Sequence, residues 1–170
     1  MDGHLVAARY LDGHIVKGRT SNFRPTQAQF HVTAPGLREP AEIRLAELKA
    51  IFFIKTLEGR PEHEERKEFS LPGGSWSKVW IEFDCDGEEL AGWTSPSLSS
   101  KLGFFLLPTD TESNIEKIYV PRSALKRVLK GAAAESAALE YGRKRPSDRV
   151  GAGEPPRSPE GPSGPGEPAA

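Results

Sequence analysis

The sequence predicts a mainly β protein, all-β with one C-terminal helix, arranged as two small, strongly bent barrels in tandem with a disordered tail. Three observations carry this. Short runs of alternating apolar and polar residues fill the first 130 positions and are separated by turn dipeptides. An Asp-Gly-x4-Gly pattern occurs twice, at Asp12-Gly13 with Gly18 and at Asp86-Gly87 with Gly92, 74 positions apart. From Pro146 onward, twelve of the last twenty-five residues are proline or glycine and the one large apolar side chain is Val150, too little to offset the entropy of ordering the chain.

The first strand is His4 to Leu11, and Asp12-Gly13 between strand-like runs signals a hairpin into a second strand at His14 to Ser21. Phe30 to Thr33 is a third strand ended by Pro35-Gly36, and Glu42 to Leu45 a fourth. AIFFIKT, Ala50 to Thr56, is apolar on both faces and reads as a central or closing strand. The charged stretch that follows suits a connector, with a short strand near Lys67 to Leu71. Alternation resumes at Val79 to Asp84, where Val79, Ile81 and Phe83 face one way.

The second half repeats the first in order. Beyond the two Asp-Gly pairs and their later glycines, Thr20-Ser21 matches Thr94-Ser95 and Phe30 matches Phe104 at the same spacing of 74. Ile43 matches Ile118 at 75, and Leu48-Lys49 matches Leu125-Lys126 at 77. Drift confined to loops is the mark of a duplicated supersecondary unit. Asp12, Gly13, Asp86 and Gly87 are then turn residues, and Gly18 and Gly92 mark bends or bulges within the second strand of each unit. Ser123 to Tyr141 carries Leu125, Val128, Leu129, Ala132, Ser136 and Leu139 at helical spacing, with Ser123 as N-cap and Gly131 as an interruption. The boundaries are a first unit at 4–57, a connector at 58–75, a second unit at 76–130, a C-terminal helix at 122–141 and a tail at 142–170.

Totals narrow the function classes. Lys plus Arg is 23 and Asp plus Glu is 24, a net charge of −1, so no global basic field drives nucleic-acid binding. A single cysteine, Cys85, excludes an intramolecular disulfide and a multi-cysteine zinc site. No signal peptide and no run of about 20 apolar residues is visible, so the expectation is a cytoplasmic protein with no membrane contact.

Candidate chemistry is sparse. EFDCDGEELAGWTS, Glu82 to Ser95, begins like a calcium loop, with acids at alternate positions and then glycine. Its twelfth position is Trp93, which offers no oxygen ligand, so the stretch reads as a hairpin with acids on a wet face. His63-Glu64-Glu65 begins like a zincin helix but has Lys67 where the second histidine belongs. Cys85 sits among acids that raise its thiol pKa. No nucleophile, base and orienter assemble. The expectation is therefore no enzyme, with no catalytic, metal or cofactor residues.

Two binding readings stand beside one another. Arg19 and Arg24 flank Phe23, and with Lys49 they form a set able to stack on and neutralise a single-stranded RNA or DNA. The favoured reading is a regulatory or scaffolding module that binds a protein partner by strand addition at an edge or in a groove between units. A third is a small-molecule or second-messenger sensor with a pocket between the units.

The patterns DGHIVKGRTSNF…QFHV…IRLAELKAIFFIK and VWIEFDCDGEELAGWTS…LGFFLLPTDTESNIEKIYVPRSALKRVL resemble a bacterial domain family of unknown function over about residues 5 to 130. Asp86-Gly87-Glu88, Gly92, Gly103-Phe104-Phe105, Pro108, Asp110 and Asn114 are the most distinctive positions. The resemblance implies a bacterial, cytoplasmic protein with no assigned activity. At the level of fold, DGHIVKG followed by a Phe-containing strand and LKAIFFIK is similar to Sm-like barrels, which gives the expected architecture of two tandem Sm-like/SH3-like small barrels. That group's basic-histidine element has no counterpart here, since Ala50 follows Lys49.

Overall fold

The computed structural model describes residues 2–69 and 75–151. β1 (His4–Tyr10) turns into β2 (Ile15–Thr20), followed by β3 (Gln29–Val32), β4 (Ala41–Arg44) and, after a 3-10 turn, β5 (Leu48–Ile54). The second half runs β6 (Ser77–Phe83), β7 (Glu89–Thr94), β8 (Gly103–Pro108), β9 (Ile115–Pro121), a 3-10 turn, β10 (Leu125–Lys130) and α1 (Ala132–Gly151). The protein is mainly β with one C-terminal helix.

Strand contacts in the two halves correspond. β1 pairs with β2 and β5, and β6 pairs with β7 and β10. β3 pairs with β4, as β8 does with β9. β2 touches β3 through the single bridge Arg19↔Thr33, where β7 and β8 pair at two positions.

Two separately closed barrels are not what these strands form. Eight strands share one sheet in the order β10-β6-β7-β8-β9-β5-β1-β2, and β3-β4 is a separate two-stranded sheet. The halves join where β5 pairs with β9, Ile51 opposite Tyr119 and Phe53 opposite Lys117. The reason lies in β5, which is buried at all seven positions. Ile51 and Phe53 enter a core with Val6, Ala8, Phe30, Val32 and Ile43. Ala50, Phe52 and Ile54 enter a second core with Val79, Ile81, Phe83 and Leu106. Closing the first half on itself would leave one of these faces in water, and fully burying one Phe or Ile side chain is worth about 1.5–3 kcal/mol.

The C-terminal element also differs from expectation. Residues 125–130 are a strand on β6, not the first turns of a helix, because Val128, Leu129 and Lys130 find partners in Ile81, Trp80 and Val79. Gly131, at φ +59°, breaks the chain direction, and the helix begins after it. Its buried side is Ala134 and Ala138 against Trp80 and Ala91, whereas Leu139, expected on that face, is 59% exposed. The helix also runs through 142–151, part of the expected tail, where Arg143 and Lys144 are good helix formers. The expected tail beyond Gly151 lies outside the described residues. No strand forms at Lys67 to Phe69, and the rest of that expected strand, 70–71, also lies outside them.

Gly13 (φ +97°) and Gly87 (φ +71°) occupy the left-handed region at the two hairpin turns. Gly18 and Gly92 serve close approach rather than turning. A Cβ on Gly18 would lie 2.2 Å from the Thr33 carbonyl oxygen, and one on Gly92 2.4 Å from that of Leu107.

Candidate functional site

The hairpin in the second half reaches back to the first. Glu88 N–H donates to Asp86 Oδ1 at 2.9 Å, as His14 N–H does to Asp12 Oδ1 at 3.1 Å, so both turns carry the same side-chain brace. Asp86 Oδ2 then accepts from Lys49 Nζ at 2.6 Å, and Glu88 accepts from the same ammonium. Arg9 Nη1 completes the cluster at 3.3 Å from Glu88. Lys49 is 4% exposed and lies over the Phe83 ring at 4.7 Å. Partial desolvation pushes the Asp86 carboxyl up, but the Lys49 ammonium and the Glu88 N–H outweigh it and hold it below the usual range. Cys85 beside it is exposed, and slight desolvation together with the Asp86 charge pushes its thiol up, away from reactivity.

Of the residues proposed to contact nucleic acid, Lys49 is set apart from Arg19 along β1. Lys49 is consumed by the ion cluster. Phe23 packs edge-on against Phe30, Phe53, Phe105 and Tyr119, with centroids 5.1 to 6.3 Å apart. Arg19 pairs through Leu5 with one end of β1, while Lys49 lies near the other end, where Ala50 pairs with Arg9. Arg24 is exposed.

A second polar centre ties the connector to the end of β8. Asp110, 7% exposed, accepts from Arg66 N–H at 3.0 Å and Glu112 N–H at 3.0 Å and contacts His63 Nε2 at 2.7 Å. Desolvation raises its pKa, and these three contacts more than reverse that, leaving it lowered. Lys67 donates to Glu89 O at 2.5 Å and sits over Tyr141 at 4.3 Å, so the connector also touches α1. A cavity of about 810 Å³ opens here between the connector and α1, lined by His63, Lys67 and Tyr141 among others. A smaller one of about 240 Å³ sits between the two hairpins, beside Lys49, Asp86 and Asp12. Among the described residues, no group of three or more His, Cys, Asp or Glu side chains is placed to hold a metal.

Among the described residues, β4 pairs with β3 alone and β10 with β6 alone, while β2, at the other end of the eight-stranded sheet, meets the end of β3 through a single bridge. β4 is exposed at Ala41, Glu42 and Arg44, and β10 has no buried position. Helix α1 rests on the sheet face around Trp80 and Ala91, with Leu129 of β10 packed against the same cluster. Charge gives these edges character: Lys126, Arg127 and Lys130 on β10, Glu42 and Arg44 on β4.

The sequence carried a sign of the ion cluster, since Lys49 is a lone charge beside a fully apolar run, and a charge buried there needs a partner. Its partners lie 37 and 39 positions away in the other half, which periodicity within a strand does not reveal. No helix among the described residues is long and apolar enough to cross a membrane. No curated protein and no solved structure matches the chain. A family model described as a family of unknown function (DUF6982) matches residues 3–131, a span that holds the ion cluster and every strand among the described residues, and the chain belongs to that family.

Proposed function

We propose that the chain is an internally duplicated, non-enzymatic interaction module that engages a protein partner by strand addition at its open edges. The observation that carries this reading is that, among the described residues, β4 and β10 each pair along one side alone and hold no more than one buried position apiece. An unpaired edge presents a row of N–H and C=O groups that another strand can satisfy. The four matching strand contacts in each half support the duplication. A bacterial, cytoplasmic setting belongs to the same reading, supported by the resemblance of the sequence and its single cysteine.

The test is affinity capture with the wild-type chain and with variants that block one edge, Arg44→Pro and Val128→Pro. A partner held by strand addition is retained by the wild type and lost from one of the variants. Retention that neither change alters would sink the proposal. Titration with single-stranded oligonucleotides at two salt concentrations tests the competing reading through Arg19 and Arg24. Tight binding that weakens steeply with salt would replace a protein partner by a nucleic acid.

A further inference from the structure

The connector lies on the second half as a bound peptide would. We infer that its seat is a binding site for an extended segment of a partner protein that carries an apolar residue, a lysine and an aromatic at alternate positions. The chain's own residues 63–69 hold the seat until such a segment displaces them. The seat is separate from the open edges of β4 and β10.

Residues 63–69 belong to no strand and no helix, yet their burial alternates with the period of a strand. His63, Glu65, Lys67 and Phe69 are half-buried, and Glu64, Arg66 and Glu68 are exposed. That is the pattern of an extended chain laid along a surface with one row of side chains inward. Side chains, not a neighbouring strand, grip its backbone: Arg66 N–H donates to Asp110 Oδ2 at 3.0 Å, and Thr109 Oγ1 donates to Arg66 O at 2.5 Å. Main-chain groups are the same in any sequence, so this clamp accepts any extended segment. The first half is built of the same strands, but Pro35 and Gly36 follow Ala34 where Thr109 and Asp110 follow Pro108. The repeated unit folds there without a clamp.

The inward side chains supply selectivity. Lys67 Nζ donates to Glu89 O and lies over the Tyr141 and Trp80 rings at 4.3 and 6.0 Å, a carbonyl and two aromatic rings around one ammonium. Phe69 meets Trp93 edge-on at 5.3 Å and packs against the cluster of Trp80, Ala91, Ala134 and Ala138. Glu65 is the poor fit. A gap of about 10 Å³ is lined by Glu65 with Leu90, Pro108, Ile115 and Ile118 among others, and burial pushes the Glu65 carboxyl up. An apolar side chain at that place covers the same surface with no charge to desolvate.

The resident segment is therefore a weaker ligand, residue for residue, than an apolar-x-Lys-x-aromatic sequence from outside. Its advantage is the tether, since a short linker holds a ligand near its site at an effective concentration in the millimolar range. A free peptide of the same sequence competes poorly against that, and one with Glu65 replaced competes better. The cavity of about 810 Å³ between the segment and α1 gives an incoming chain room to enter.

The experiment is fluorescence polarisation with a labelled peptide, Pro61 to Phe69 carrying Glu65→Leu, titrated against the full chain. The double variant Lys67→Ser/Phe69→Ser vacates the seat and is expected to bind this peptide at least tenfold more tightly than the wild type. Glu65→Leu in the chain itself seats the resident segment better and should weaken peptide binding at least tenfold. Peptides that also carry Lys67→Ser or Phe69→Ser should lose at least tenfold on the double variant. Arg44→Pro and Val128→Pro, at the open edges, should leave binding unchanged. A loss in either puts the peptide at an edge, which overturns this seat and leaves the edge-binding reading standing. A double variant that is folded by circular dichroism and binds no more tightly than the wild type also overturns the inference, because the connector is then a fixed part of the fold. Should the double variant fail to fold, hydrogen exchange on the wild type decides. The peptide at millimolar concentration should speed exchange of the Arg66 amide at least tenfold, and an unchanged rate overturns the inference.

Discussion

At residue scale, Lys49 ties one half to the other through Asp86 and Glu88. Its ammonium is nearly fully buried, but its partners Asp86 and Glu88 are 48% and 36% exposed at the side chain. Removing Lys49 therefore leaves carboxylates that water can still solvate, a milder loss than stranding a buried charge. Lys49→Ala is expected to lower stability by about 1–3 kcal/mol in urea unfolding, and Lys49→Met by less, because it keeps the packing on Phe83. Gly92 is tighter: its Cβ would strike backbone at Leu107 and the Leu106 side chain, so Gly92→Ala should cost about 1–3 kcal/mol through overpacking. Acid should reveal the two lowered aspartates. Asp86 and Asp110 bind protons less readily when folded than when unfolded, so the unfolded chain takes up more protons as pH falls below about 3.9, the ordinary Asp value. Their contribution is complete above that pH and is lost as pH drops through the folded values. Asp110→Asn should flatten the acid limb of a stability-versus-pH curve, and an unchanged limb would refute the assignment.

At the scale of elements, the sequence was most readable where local chemistry decides. The Asp-Gly hairpins, with Gly13 and Gly87 at positive φ, and the doubly apolar β5 follow from turn chemistry and composition alone. β10 was not readable, because LKRVLK fits a helix about as well as a strand, and pairing with β6 decides between them. The site was legible in its turn residues and not in its geometry: the Lys49 cluster and the open edges depend on how the halves dock. Helix α1 is held by small contacts, Ala134 and Ala138 against Trp80, with Tyr141 at 5.6 Å from the Trp80 ring. A carboxylate at that seam cannot be buried without a partner. Ala138→Asp should therefore detach the helix and shift Trp80 fluorescence to the red, while the sheet's far-ultraviolet signal persists. Unchanged fluorescence would show that α1 does not depend on this seam.

At the scale of the whole molecule, β5 makes the two halves one cooperative unit. Its alternate side chains complete different cores, Ile51 and Phe53 in one and Phe52 and Ile54 in the other. Its edges bond to β1 of the first half and β9 of the second. Unfolding either half alone would strip β5 of one set of neighbours and expose apolar surface worth several side chains, at about 1.5–3 kcal/mol each. That cost suppresses half-folded states, so urea unfolding should follow a single transition whether read by tryptophan fluorescence or by circular dichroism. All three tryptophans, Trp76, Trp80 and Trp93, lie in the second half, so fluorescence reports there alone. Phe53→Ala removes a ring from the first-half core and is expected to cost about 3–5 kcal/mol. If the halves are coupled, the fluorescence midpoint moves with the circular dichroism midpoint by the same amount. A tryptophan transition that stays in place while the rest of the sheet melts earlier would show two domains sharing a border, and β5 would then be a seam rather than a common wall.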